Sequence, residues 1–252
     1  MKPTLEDYFK DIPIDDHTVC EDNIFLHHNH FTEMINEAVC IIDFQNRNFY
    51  DVSDHGFLLC GHSRNEVKSL GYKFFEEIIC PDDIELWVKM HNVILKYLHN
   101  QDAETEEVRF FTCTIRLKIS FQIGNKPYYI MSYVEIRPVF VNQKLKYGLC
   151  LFSASAVETP GNLCVYFKAG EIYSEYLFTK KRWINEKMLK FKPREREILV
   201  QTQQCLSREN IADNLCLSDK TIKNNITEIK KKSNAKKVMQ AVNNARTHRL
   251  IY

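Results

Sequence analysis

The sequence lacks the features that define several large classes of protein. A membrane-spanning helix needs about 18 uninterrupted apolar residues, and no run in the sequence approaches that length. The first residues, MKPTLEDYFKDI, include acidic residues and lack the extended apolar core of a targeting segment. The nine cysteines are scattered singly without a CxxC pair, which fits buried or free thiols in a reducing compartment better than a disulfide framework. We therefore expect a cytoplasmic protein that does not contact a membrane.

Motifs of the common enzyme classes are missing as well. The chain contains no nucleophile elbow, phosphate-binding loop, HExxH motif or cluster of carboxylates, so no enzyme activity is expected. Asp82 and Asp83 follow Pro81 directly, and this order is better explained as the start of a helix than as a phosphoacceptor or metal site.

Residues that could bind a metal or a cofactor form no complete pattern. The densest group of histidines comprises His27, His28 and His30. No spaced second pair accompanies this group, so no metal site is predicted. His91 stands alone as a candidate haem ligand, and Cys60 and Cys80 lack the Asn-Cys-Arg-Phe setting of a flavin photosensor. We predict no named cofactor and leave open an unidentified small ligand.

The composition indicates a folded chain with two parts of opposite charge. With 44% hydrophobic and 12% aromatic residues, the chain can bury the cores of two domains. From Lys187 to the end there are 15 Lys and Arg against 6 Asp and Glu, a net charge of +9, whereas the preceding residues hold 19 and 27, a net charge of −8. A basic C-terminal part can neutralise the phosphates of a nucleic acid.

The residues from Phe191 to Val242 carry the start and stop signals of three consecutive helices. Pro193 suits the first position of the first helix, because its missing N–H needs no partner there. Ser207 and Ser218 can accept hydrogen bonds at the starts of the second and third helices.

The third of these helices has one face that must pack inward. Its isoleucines stand at i, i+4 and i+7, namely Ile222, Ile226 and Ile229. The opposite face carries Lys220, Asn224, Thr227 and Lys231. Lys223 and Glu228 flank that face on either side. Asn can pair with adenine, Lys can donate to guanine and a Thr methyl can contact thymine, so this face suits the major groove of DNA.

The same stretch resembles the LuxR-type (GerE-like) helix-turn-helix domain of transcriptional regulators. That family reads roughly LTPRE.EVL, GLSN.EIA..L.LS..TVK.H and I..KLGV, and the chain has FKPREREIL, CLSRENIADNLCLSDKTIKNN and IKKKSNA. The resemblance implies that Lys223, Asn224 and Thr227 face DNA bases. It also implies phosphate contacts from Arg194, Lys220, Thr221, Asn225 and Lys231.

The stretch departs from the family pattern at four places. Cys205 replaces the usual Gly, Asn225 the usual His, and Glu228 stands where a neutral polar residue is frequent. Ser233 and Asn234 replace Leu-Gly, and Asn tolerates the left-handed backbone that a helix-ending Gly usually supplies. Because Glu228 would face or flank phosphate, we expect a modest affinity for DNA.

The body of the chain has a different order of elements: strand, strand, short helices, a longer helix and three strands. The strands are predicted at 38–44, 48–53, 108–121, 128–141 and 145–153. This order resembles a PAS domain, a five-stranded antiparallel sheet covered by short helices on one face. The runs LLCGHSRNEV and IICPDDIE carry the resemblance. It implies a module that senses a small ligand, haem, flavin or redox state, or that mediates dimerisation.

We therefore predict an α+β protein with four parts. These are a helical lead-in at 1–30, a PAS-like sensor domain at 31–156, a β-hairpin or linker at 157–190, and an all-α four-helix DNA-binding domain at 191–252. The segment 157–190 either transmits a signal or passively extends the sheet.

The two resemblances together predict a sequence-specific DNA-binding transcription regulator whose PAS-like body senses a small ligand or mediates dimerisation. Expected partners are double-stranded promoter DNA, a second copy of the chain and RNA polymerase. The candidate dimer contact is the small-residue stripe Val238, Ala241, Val242 and Ala245. Alternatives are a sigma-like factor, which would need a helical body to bind polymerase and melt DNA, and a PAS-containing interaction adaptor.

Overall fold

The computed structural model describes residues 38–99, 108–123, 126–142, 144–155, 157–248 and 250–251. The predicted lead-in at 1–30, with its histidine cluster, lies outside the described residues, as does the remaining segment up to residue 37. The chain divides into two compact units with the boundary between Glu186 and Lys187, and each unit is described by itself.

The first unit is built on one antiparallel sheet. Its strands are β1 (Ala38–Asp43), β2 (Asn48–Val52), β3 (Val108–Ile123), β4 (Lys126–Val141), β5 (Lys144–Ala154), β6 (Gly161–Phe167), β7 (Ile172–Leu177) and β8 (Arg182–Lys187). Their order across the sheet is β2-β1-β5-β4-β3-β6-β7-β8. The five predicted strands are therefore neighbours at one end of the sheet, close to their predicted positions.

The sheet has eight strands where the sequence predicted five. Residues 157–190, which the sequence analysis set apart from the sensor domain, supply the additional strands β6, β7 and β8. The alternation of inward-facing and outward-facing side chains along β6 explains why this segment joins the sheet. Its Leu163 and Val165 are both completely buried in the same core as residues of β3, and β6 pairs with β3 as the next strand of the sheet.

Four described helices and a 3-10 turn connect β2 to β3. They are α1 (Gly56–Leu59), α2 (Arg64–Leu70), α3 (Lys73–Ile78), the 3-10 turn (Pro81–Asp83) and α4 (Ile84–His99). Ser63 caps α2, because its Oγ accepts from the Glu66 N–H at 3.3 Å and the Glu66 carboxylate accepts from the Ser63 N–H at 2.6 Å. In the described part of the chain, no helix combines the length and the apolar character needed to cross a bilayer.

These helices bury their apolar side chains against one face of the sheet, called here the inner face. Each of the four helices contributes to a common core with Phe111 of β3, through Leu58, Val67, Phe74 and Trp87 respectively. Each large side chain that is fully buried contributes about 1.5–3 kcal/mol relative to exposure. A mixed layer of helices on an antiparallel sheet, with a separate helical unit after it, confirms the predicted α+β class.

The described cysteines are free thiols. Cys40, Cys60, Cys80, Cys113, Cys150 and Cys164 are buried, and Cys205 and Cys216 are exposed. Burial raises the pKa of Cys113 well above its ordinary value and that of Cys164 to about 12. These two thiols are therefore protonated at neutral pH and are poor nucleophiles.

His91, the lone candidate for a haem ligand, is buried on α4. Its Nδ1 lies 3.1 Å from the carbonyl oxygen of Trp87, and the two rings are in edge contact. Burial lowers the pKa of His91 to about 4, although the hydrogen bond to Trp87 acts in the opposite direction. The imidazole is therefore neutral near pH 7 and packs as part of the core.

The second unit consists of four helices, as predicted: α5 (Pro193–Gln203), α6 (Arg208–Asn214), α7 (Asp219–Lys232) and α8 (Val238–Thr247). They enclose one core, whose fully buried members include Ile198, Leu199, Ile222, Ile229, Ala241 and Ala245. Most of the small-residue stripe that was the candidate dimer contact, Ala241, Val242 and Ala245, therefore packs inside its own unit. These three side chains leave no surface for a second copy in this fold.

Asp83 links the start of α4 to the sheet. Its carboxylate is 2% exposed and accepts hydrogen bonds from the backbone N–H of Arg116 at 3.1 Å and from Arg116 Nε at 2.9 Å. A buried carboxylate is stable when charge-assisted hydrogen bonds replace its hydration. The neighbouring Asp82 is exposed and lies 3.9 Å from Arg116 Nη2, so it makes only a surface ion pair with the same guanidinium.

Replacing Asp83 by Ala should lower the free energy of unfolding of the first unit by about 3 kcal/mol, because Arg116 and its N–H lose their partner. The matched control is Asp82→Ala, whose side chain is 84% exposed, and which should change stability by less than about 0.5 kcal/mol. Urea unfolding followed by tryptophan fluorescence measures both, since Trp87 and Trp183 lie in the first unit. Equal changes in the free energy of unfolding for the two substitutions would contradict a stabilising role for the bonds between Asp83 and Arg116.

Candidate nucleic-acid interface

Helix α7 begins and ends where its sequence predicts. Ser218 Oγ accepts from the Thr221 N–H at 3.1 Å and satisfies one of the free donors of the first turn. Asp219 stands in the first turn, and the last turn holds three lysines, Lys230, Lys231 and Lys232. Both ends therefore carry charge that is complementary to the helix dipole.

The isoleucine stripe of α7 is buried as predicted. Ile222 and Ile229 are completely inaccessible, and Ile226 between them is half-buried against the same core. The residues predicted to face DNA bases, Lys223, Asn224 and Thr227, are all exposed. Among the predicted phosphate contacts, Arg194, Lys220 and Lys231 are exposed, while Thr221 and Asn225 are half-buried.

Some polar side chains on α7 already make hydrogen bonds within the protein, and others do not. Thr227 Oγ1 donates to the carbonyl oxygen of Lys223 at 3.0 Å, so its hydroxyl proton is used within the helix. Asn225 Nδ2 donates to the carbonyl oxygen of Thr221 at 2.8 Å, and the Thr221 hydroxyl lies 2.8 Å from Ser218 Oγ. Within the described part of the chain, Lys223 and Asn224 make no side-chain hydrogen bond or ion pair. These two side chains are therefore free to bond a partner.

An ion pair joins the starts of α6 and α7. Arg208 Nε donates to Asp219 Oδ1, and Ser207 Oγ accepts from the Asn210 N–H at 3.2 Å at the same end of α6. Because the guanidinium partly neutralises Asp219, less negative charge remains near the first turn of α7. Both serine caps could be predicted from residue type, whereas this ion pair joins residues 11 positions apart and had no local signal in the sequence.

Helices α5, α6 and α7 each end at a residue with left-handed backbone. Cys205 has φ +60°, Cys216 has φ +52° and Asn234 has φ +49°. In each case the following N–H bonds the carbonyl five residues before it, as from Leu206 to Gln201 at 3.2 Å. The left-handed backbone at Asn234 agrees with the expectation from its residue type. Glycine in the family pattern also marked the position of Cys205, whereas no sequence signal marked Cys216.

An ion pair between the partly exposed Lys232 and the buried Glu195 fixes α7 against α5. Lys232 Nζ lies 2.7 Å from both carboxylate oxygens of Glu195, and the Lys192 N–H donates to the same carboxylate at 2.7 Å. Burial raises the pKa of Glu195, but the bonds from Lys232 and Lys192 outweigh it, so that the net pKa lies below its ordinary value. Lys232 is thus a structural residue, unlike Lys231 beside it.

Comparison with protein families agrees with this geometry. Residues 190–245 match the family described as GerE, bacterial regulatory proteins of the luxR family. The second unit is therefore a LuxR-family domain, and the resemblance predicted from the sequence is confirmed. Comparison with curated proteins gives no match.

Several solved structures are similar to the chain. A PAS domain from Colwellia psychrerythraea is 14% identical with a TM-score of 0.36, and the match covers 53% of this chain and 97% of that one. VqmA from Vibrio cholerae, in a complex with ligand and DNA, is 14% identical with a TM-score of 0.33, and the match covers 92% and 90%. A VqmA dimer of the same organism without target DNA is 14% identical with a TM-score of 0.28, covering 88% and 86%.

Substituting Gly for Cys205 should stabilise the second unit by about 0.5–1 kcal/mol, because Gly adopts φ +60° without the steric cost of a Cβ. Cys205→Ala is the matched control, since it removes the thiol but keeps the Cβ, and it should give no gain. Urea unfolding measures the change, with hydrogen exchange of α5 assigning the transition to this unit. A gain from Ala equal to that from Gly would mean that the thiol, rather than the backbone, is the source of strain.

Substituting Met for Lys232 should destabilise the second unit by about 1–3 kcal/mol at pH 7, because the buried Glu195 carboxylate loses its cation and keeps only the bond from the Lys192 N–H. Since the pKa of Glu195 is lowered in the folded state, the contribution is present above about pH 5 and is lost as the pH falls through the lowered pKa. The difference in free energy of unfolding between the native protein and the variant should therefore become smaller at acidic pH. Hydrogen exchange of α5 and α7 at several pH values measures it, with Lys231→Met as the nearly neutral control. A gap that does not depend on pH would exclude this ion pair as its source.

Proposed function

We propose that the protein is a sequence-specific transcription regulator that reads promoter DNA with the exposed face of α7. The observation that carries the proposal is the burial of Ile222 and Ile229, which leaves Lys223, Asn224 and Thr227 outside on a LuxR-family domain. An α-helix fits the major groove, where the base edges are distinguishable by their donors and acceptors.

The chemistry of this face suits base recognition. Asn224 has a free amide that can accept and donate, as a bidentate contact with adenine requires. Lys223 can donate to O6 and N7 of guanine. Thr227 uses its hydroxyl proton within the helix, and its remaining capacity is a methyl group for the methyl of thymine and an acceptor oxygen.

Phosphate contacts are proposed around this face. Arg194, Lys220 and Lys231 are exposed cations without a side-chain hydrogen bond or ion pair in the described part of the chain, so they can move to phosphate oxygens. Thr221 and Asn225 contribute polar groups that already bond within α7, and their contacts should be weaker. Glu228 is exposed on the flank and opposes phosphate, which lowers the affinity without removing it.

The charge distribution supports the same proposal. The net charge of +9 from Lys187 onward favours release of counterions from DNA, whereas the net charge of −8 before it disfavours contact between the first unit and the duplex. A bacterial regulator with these properties works where the chromosome is, so we also propose a cytoplasmic location.

The first unit is proposed to control this output by sensing a small ligand or by pairing two copies. Two copies would occupy two half-sites, and the bound regulator would then act on RNA polymerase. A sigma-like factor is a weaker candidate, because the body is one large sheet rather than the helical region that such a factor needs. An interaction adaptor would leave the exposed lysines of α7 without a role.

Lys223→Ala and Asn224→Ala should each weaken binding to the selected site by about 1–3 kcal/mol and relax the base preference, with little effect on random DNA. Lys231→Ala should weaken binding to every sequence and reduce the slope of log K against log salt by about 1. Fluorescence anisotropy at several salt concentrations measures both effects. Lys89→Ala, an exposed lysine of the first unit, is the control and should change neither.

The same titrations should use duplexes with one half-site and with two half-sites one helical turn apart. Tighter binding to the paired duplex supports action as a pair of copies, and equal affinity per half-site removes that part of the proposal. Equal losses on the selected site and on random DNA for Lys223, Asn224 and Lys231 would contradict base reading by α7.

A further inference from the structure

The last strand of the sheet, β8, is an edge strand that buries little of its surface. It stands at the end of the strand order, next to β7, and Ser174 Oγ of β7 donates to Asn185 Oδ1 at 2.6 Å. None of the six residues of β8 is fully buried, and Trp183 and Ile184 are its half-buried members. Every other strand of the sheet contains buried residues. Local opening costs least where few side chains are buried, so β8 is the strand that detaches most easily.

Trp183 attaches β8 to the rest of the first unit. Between ring centres, it lies 5.1 Å from Tyr97 of α4 and 5.2 Å from Tyr176 of β7, both in edge contact. Its ring also lies 6.4 Å from that of Phe111 of β3, which is itself 5.7 Å from the ring of Tyr97. Phe111 is completely buried, so these rings join an exposed strand to the core of the inner face.

Helix α4 connects this aromatic contact to the interior of the first unit. Its buried residues include Trp87, Met90 and His91, and Tyr97 stands in its last turn. A close-packed interior transmits displacement, because its side chains have no free space in which to absorb it. Any change in the core that shifts α4 therefore also shifts the ring against which Trp183 packs.

The connection from β8 to the second unit is very short. β8 ends at Lys187, which is also the first residue of the second unit. Leu189 already packs against the core of the second unit, and Phe191 is buried in it. Met188 is therefore the one residue between the end of β8 and the first residue that packs in the second core. Detachment of β8 would add the six residues of the strand to this connection.

We propose that the docking of β8 through Trp183 is the device by which the first unit controls DNA binding by the second. While Trp183 lies between Tyr97 and Tyr176, the second unit is held on a short connection. When β8 detaches, the connection becomes longer and the second unit gains conformational freedom. Binding to DNA removes such freedom, so docking of β8 and DNA binding favour each other. This inference rests on the DNA-binding function proposed above.

Hydrogen exchange of the full chain, read by mass spectrometry, tests the docking. Trp183→Leu and Tyr97→Leu should each speed exchange of residues 182–187 at least about tenfold, because each removes a ring from the contact that holds β8. Phe74→Leu is the matched control, since Phe74 belongs to the same core and makes no ring contact with Trp183. It should leave exchange of residues 182–187 within about twofold. Equal acceleration in all three variants would reflect a general loss of stability and overturn the proposal.

The same measurement with DNA tests the coupling. Two sites that influence each other do so by the same factor in both directions. A saturating duplex, selected from a random library by the native chain, should therefore slow exchange of residues 182–187 at least about fivefold. Insertion of about six Gly and Ser residues between Met188 and Leu189 should abolish this slowing and leave exchange without DNA unchanged. The matched control carries the same insert between Ala169 and Gly170, in the exposed turn before β7, and should keep the slowing.

The remaining outcomes separate this proposal from the proposed function. Slowing that persists after insertion at Met188 would mean that DNA shields β8 directly, and it would overturn the proposal. Binding of DNA with no slowing, or with faster exchange of residues 182–187, refutes the proposal and leaves the DNA-binding function intact. If the native chain binds no duplex in the anisotropy titrations, the proposed function is refuted, and this proposal with it.

Discussion

Ile222 and Ile229 are completely buried in the core of the second unit, and their burial determines which side of α7 remains outside. A rotation of α7 that exposed either side chain would cost about 1.5–3 kcal/mol for each. The bond between Lys232 and Glu195 fixes the far end of the same helix on α5. The proposed base recognition by Lys223 and Asn224 would depend on this fixed rotation, because a bidentate contact tolerates little misplacement.

Local features of the second unit could be predicted from the sequence, and contacts between distant residues could not. Ser218 and the isoleucine stripe act within one helix, so spacing and residue type are sufficient to identify them. Lys232 and Glu195 are 37 residues apart, and nothing in their own neighbourhoods indicates that they meet. The left-handed backbone at Cys216 was missed for a different reason, since residue type there gives no signal.

The first unit shows the same division. The five strands at one end of the sheet and the helix that follows Pro81 could be located from alternation and turn residues. Pairing of β6 with β3 depends on burial of Leu163 and Val165 in a core assembled from remote parts of the chain, so the sheet is larger than predicted. Burial of Ala241 and Ala245 likewise depends on packing against other helices, and it removes most of the predicted dimer contact.

The central claim is that a rigidly held α7 reads a DNA sequence. Selection of bound duplexes from a random library by the full-length protein, followed by sequencing, tests it most directly. The account predicts enrichment of one motif that contains adenine and guanine at the positions facing Asn224 and Lys223, and loss of that enrichment with Asn224→Ala. Enrichment of no motif, at salt concentrations where the protein still binds DNA, would contradict it.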